Sequence, residues 1–248
     1  MAGNDITFNL TFEDVFYDKL PKPKQPVIAA PIRPYIKTHK DIKTHVSGVT
    51  NYARVIDFVN AQNNGIITGH LIPNNSVNFD KGDGSTFYNA IEDINKNITK
   101  QKHWIWYILP SNISTVSATA TFFKLGPETD NTYQITIKEY LDNETLCKNY
   151  IQMINTLYDK MDKGDAETMK KSLYDIMYGN PAYGKILHGN NPDYKKLKSS
   201  ISNFAKPLIS KLELFVKNTG VAETTDIASA RTNITQLYNI FNPLDAIP

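Results

Sequence analysis

Both tryptophans of the chain, Trp104 and Trp106, stand directly behind His103 in the apolar run His103-Trp104-Ile105-Trp106-Tyr107-Ile108-Leu109-Pro110. An indole offers a flat apolar face on which a planar group can stack, and an imidazole with an intrinsic pKa of about 6.5 offers a donor or a proton acceptor beside it. Further along, Lys196, Ser199, Ser200 and Asn203 recur at spacings of three and four. On a helix that spacing puts the lysine, one or other serine and the asparagine on a polar stripe beside Leu197, Ile201 and Phe204. The lysine can neutralise a phosphate or carboxylate, and the hydroxyls can donate to it. Gln62, where a helical pattern ends, can add an amide contact. Gln62, His103, Trp104, Trp106, Lys196, Ser199 and Ser200 therefore describe a pocket for a small polar or anionic planar ligand, nucleotide-like in kind. Each also has a purely structural reading: indoles as core filling, serines as close helix packing, Gln62 as a cap or a solvated side chain.

Other chemistries fit less well. A serine hydrolase built from Ser199 or Ser200, His103 and Asp193 lacks a Gly-x-Ser-x-Gly elbow, and serines inside a helix make poorly exposed nucleophiles. The segment Asp80-Lys81-Gly82-Asp83-Gly84-Ser85 has the wrong acidic spacing for a calcium loop, and its twelfth position is Ile91. His39, His45, His70 and His188 show no metal-ligand spacing, so neither a metal nor a cofactor is implied. Cys147 is the sole cysteine, which excludes an intramolecular disulfide, and its helical setting reads as a small buried hydrophobe.

The elements that must position these residues are mostly helices. Tyr52, Val55, Ile56 and Val59 step by three and four, predicting a helix over 51–63 that stops at Gly65. Ser85 is placed to cap a second helix carrying Phe87, Ala90, Ile91, Ile94 and Ile98. The run 103–110 must be buried, as strand or as helical turn, and 111–135 reads as a loop or a modest hairpin. Helical patterns follow at 137–141, 144–161, 166–178 and from Asp193, which can cap, to Gly220. Pro207 either kinks that long helix or begins a second one. A last helix is predicted over about 224–241. Helices with few convincing strands make the fold class mainly α, a single compact multi-helix domain.

The 248 residues suit one large domain with appendages, given roughly 100 to 200 residues per domain. Hydrophobic residues at 41% exclude wholesale disorder. Residues 1–50 carry Pro21, Pro23, Pro26, Pro31 and Pro34 among lysines, an extended N-terminal arm laid over or free of the helical domain at 51–248. That arm is a second place for function: a non-catalytic interaction module would bind a protein partner through it and through the inserted loops at 64–84 and 179–190. A net charge of +2 argues against nucleic acid as a partner. No window reaches the ~18 apolar residues that span a bilayer, and the start lacks a basic region followed by an apolar stretch. The expected location is cytoplasmic, in a host cytoplasm if the chain is viral, since the Asn, Lys and Ile bias suggests an AT-rich bacterial or viral genome.

Three separated pieces resemble an uncharacterised bacterial family, the domain of unknown function eighteen-ten, whose members are sometimes labelled calpastatin. They are Val55-Ile56-Asp57-Phe58-Val59-Asn60-Ala61-Gln62, the run His103 to Pro110, and Asp193-Tyr194-Lys195-Lys196-Leu197-Lys198-Ser199-Ser200-Ile201-Ser202-Asn203-Phe204. The resemblance covers about residues 51–218 and implies a compact, mostly helical domain, with no established activity, cofactor or catalytic residue. The chain departs from the family pattern at Ser111, where a Gln usually follows the proline, at Ser202 in place of Thr, and in its two long insertions.

Overall fold

The computed structural model describes residues 52–65, 86–97, 99–102, 104–113, 122–126, 134–178, 191–219 and 225–247. The arm at 1–50, nearly all of the 64–84 insertion, the 179–190 insertion and His103 lie outside the described residues.

Eight α-helices occur among the described residues: α1 Val55–Asn64, α2 Phe87–Asn97, α3 Ile105–Ile108, α4 Ile137–Asp142, α5 Glu144–Lys160, α6 Ala166–Tyr178, α7 Pro192–Thr219 and α8 Thr225–Phe241. A 3-10 turn, Pro243–Asp245, closes the chain against α8. No strand occurs among the described residues, so the fold is mainly α. The 103–110 run resolves as the short helix α3, and 111–135 shows no hairpin where it is described. There, single backbone bonds join Leu125 N–H to the Ser111 carbonyl (3.0 Å) and Gly126 N–H to the Ile135 carbonyl (3.0 Å).

Most helix ends follow local chemistry. The Thr136 hydroxyl accepts from the Glu139 N–H (3.1 Å) while the Glu139 carboxylate accepts from the Thr136 N–H (2.8 Å), a reciprocal cap on α4. α1 ends at Gly65, whose φ of 72° lies in the left-handed region that favours glycine. Two caps sit one or two residues from where the sequence placed them. Ser85 lies outside the described residues, and the Thr86 hydroxyl accepts from the Asn89 N–H (3.2 Å) at the start of α2. At α7 the cap is Asn191, whose side-chain oxygen accepts from the N–H groups of Asp193 (2.9 Å) and Tyr194 (2.9 Å), with Pro192 in the first turn. Asp193 is thereby released for another role.

α7 runs through Pro207 as one 28-residue helix. Proline removes the hydrogen bond to the Asn203 carbonyl and disfavours a helix interior by about 3 kcal/mol relative to alanine. Burial outweighs this, because Ile201, Phe204, Ala205, Leu208, Ile209 and Leu212 are all in the core on both sides of the proline. α7 packs against α8, α6, α4 and α3, and α5 packs against α8, α2 and α4, so one core serves every helix. Its centre is aromatic. Phe58 of α1 meets Tyr140 of α4 edge-on (5.4 Å between centroids), Tyr140 meets Phe204 of α7 (5.4 Å), and Phe204 stacks on Tyr150 of α5 (4.4 Å, 15° between planes).

Candidate functional site

α1, α3 and the first half of α7 converge on this core, and they carry the three sequence pieces. Gln62, in the last turn of α1, is 1% exposed. Its amide nitrogen donates to the Tyr107 carbonyl (2.8 Å) and the Tyr140 hydroxyl (2.9 Å), and its oxygen accepts from Asn149 Nδ2 (2.8 Å). It is neither a helix cap nor solvated: with three partners it joins α1, α3, α4 and α5, and its polar atoms are engaged within the protein. Trp104 is likewise an anchor. Its indole N–H donates to Asp93 Oδ2 (3.2 Å), which also accepts from the backbone N–H groups of Gln101 (2.8 Å) and Lys102 (3.1 Å). Ser200 faces inward, its hydroxyl 3.2 Å from that of Tyr150. Ser199 faces out on the polar stripe and donates to Asn112 Oδ1 (3.3 Å), to which Asn203 Nδ2 also donates (3.0 Å). These three side chains close the gap between the loop after α3 and α7.

The structure brings Trp106 and Lys196 together, with Nζ 5.4 Å from the centre of the indole. Lys196 is 0% exposed and its ammonium has no hydrogen-bond partner among the described residues. Buried ammonium groups are almost always paired, because leaving one unpaired sacrifices its hydration without return. Burial drives the Lys196 pKa down from 10.5 to about 7, and the nearby Lys124 pushes the same way against the attraction of Asp193 one turn earlier. The Ser111 hydroxyl is a second buried group with no partner among the described residues. Its position is fixed by the neighbouring bonds of Asn112 to α7 and by the Leu125 bond to its own carbonyl. Trp106, 6% exposed, makes no hydrogen bond through its indole nitrogen among the described residues.

A second buried lysine stands close by, one that spacing does not reveal. Lys100, 1% exposed, donates to Asp193 Oδ2 at 2.6 Å and lies 5.7 Å from the centre of the Trp104 ring. The partners are 93 residues apart, so no local pattern could pair them. Ser111 carried a weak signal, a lone polar residue immediately after the apolar run. Cys147 is buried as expected, and burial pushes its thiol up to about 12, which leaves it inert. No group of His, Cys, Asp and Glu among the described residues is arranged to hold a metal ion.

No family model, curated protein or solved structure matches the chain. None of its described helices is long and apolar enough to cross a membrane.

Proposed function

We propose that the chain binds a small anionic ligand with a planar group, held by the Lys196 ammonium and the Ser111 hydroxyl and stacked on the indole of Trp106. The observation that carries this is the fully buried Lys196 Nζ without an acceptor. An anion would supply the missing partner, and strongly displaced pKa values with a specific neighbourhood cluster at functional sites. Two further features support it. Ser111 adds a second unused donor, and the Asn112 bonds to Ser199 and Asn203 are surface contacts worth roughly 0.5 to 1.5 kcal/mol each, a modest cost for admitting a ligand between loop and helix. In this reading Ser199 lines the mouth, while Gln62, Trp104 and Ser200 hold the frame. A nucleotide has both required parts, a planar base and a phosphate.

Membership in the domain of unknown function eighteen-ten belongs to the same proposal. Its support is that the three sequence pieces meet: Gln62 bonds the Tyr107 carbonyl, and Lys196 of the third piece covers Trp106 of the second.

The test is a titration of nucleotides, sugar phosphates and simple aromatic carboxylates, following tryptophan emission and melting temperature. Saturable changes are expected, weakening as pH rises above about 7 because the amine loses its charge there. A panel that leaves both signals unmoved at pH 6 ends the proposal.

A further inference from the structure

We infer that Lys196 captures the carbonyl of an aldehyde, joining Nζ through an imine to a planar anionic ligand lying on Trp106. The inference rests on the reading above and narrows the ligand class to one bearing an aldehyde. Nζ has no acceptor among the described residues, so once its proton is lost nothing competes for the lone pair. Nζ stands over the Trp106 ring, 5.4 Å from its centre, so a planar aldehyde joined to it would lie against the indole. Lys196 is itself 0% exposed and Trp106 is 6% exposed, so the amine and the indole are both buried. Lys100 shows the contrast: its Nζ donates to Asp193 Oδ2 at 2.6 Å.

The step balances without an added reagent. The neutral amine attacks the carbonyl carbon, the C–N bond forms as the C=O π pair moves to oxygen, and a proton passes from nitrogen to that oxygen. The hydroxyl of the resulting carbinolamine then leaves as water, taking up the second N–H proton as the nitrogen lone pair forms C=N. At neutral pH exposed lysines are almost wholly protonated, and Asp245 holds Lys206 more so, whereas burial favours the neutral amine at Lys196.

The experiment treats the full chain at pH 7 with substoichiometric pyridoxal 5′-phosphate, reduces with borohydride and maps the modified peptides. Lys196 should carry at least about tenfold more label than Lys206 or Lys171, given its larger neutral fraction. Label spread evenly over the exposed lysines, or an unchanged total yield in a folded Lys196→Met variant, overturns the inference; if that variant does not fold, the wild-type map decides alone. Pyridoxine 5′-phosphate, the alcohol analogue, separates the two proposals. If it changes tryptophan emission saturably while the aldehyde leaves Lys196 unlabelled, the imine fails and the ligand site stands. If neither compound acts, both fall.

Discussion

Lys100 and Lys196 are two buried lysines, each set against one of the two indoles of the chain, and they are solved in opposite ways. Lys100 has a carboxylate at 2.6 Å and sits beside Trp104, whose own N–H is taken by Asp93. Lys100, Asp193, Trp104 and Asp93 are all matched there, as a structural element requires. Lys196 sits beside Trp106 with no acceptor, and the Ser111 hydroxyl on the adjoining loop is unmatched as well. Desolvation is common to both sites. What differs is a counter-charge, and that decides whether a buried cation organises the fold or stands ready for something that is not part of it.

The comparison is broken most directly at Lys100. Lys100→Met leaves Asp193 buried and unpaired, so stability should fall by about 3 to 5 kcal/mol in denaturant unfolding, and Lys100→Met with Asp193→Asn should recover at least half of that. A loss below about 1 kcal/mol would show that the pair is not structural.

Lys196→Met should do the reverse. Holding a lysine at about 7 rather than 10.5 costs on the order of 4 kcal/mol while it is charged, so at pH 6 the variant should be about 2 to 4 kcal/mol more stable than the wild type, allowing for imperfect repacking. The sign with pH follows from proton counts. Between about 7 and 10.5 the unfolded chain binds more protons at this lysine than the folded one, so wild-type stability rises with pH across that window and the advantage of the variant shrinks. A constant difference from pH 6 to 10 would show that Lys196 titrates normally.

Gln62→Ala should cost about 2 to 3 kcal/mol, because Tyr140 and Asn149 lose a buried partner and a space is left between α1 and α3. In a Trp104→Phe background, the emission of Trp106 should shift with a midpoint near pH 7, and Lys196→Met should abolish that transition. The smallest effect belongs to Ser199→Ala, within about 0.5 kcal/mol in stability, since its bond to Asn112 is exposed; any ligand it admits should exchange faster.

Much of the fold was legible because its helices are strongly periodic. Leu146, Tyr150, Ile154, Leu157 and Met161 predicted the inner face of α5, and all five are buried. What was misplaced was settled by competition between near neighbours. Thr86 rather than Ser85 provides a described cap for α2, and Asn191 caps α7 because Pro192 suits the first helical position and moves the start back. Pro207 could not be judged from its own residue type, since the apolar positions on both sides keep α7 one continuous helix across it. At the site, the helical stripe correctly joined Ser199 to Asn203 and put Lys196 one turn away, but could not say that Ser200 turns inward to Tyr150.

Residue type and spacing determined the helices, their inward faces and the concentration of unusual side chains in three pieces, because periodicity and capping act within a few residues. Only the tertiary structure decided which of those side chains are matched. Lys100 finds Asp193 across 93 residues, Gln62 finds Tyr107 across 45, and Lys196 finds an indole but no acceptor among the described residues. Satisfaction of a buried polar group depends on what long-range packing delivers to within about 3 Å of it, and no local pattern carries that distance.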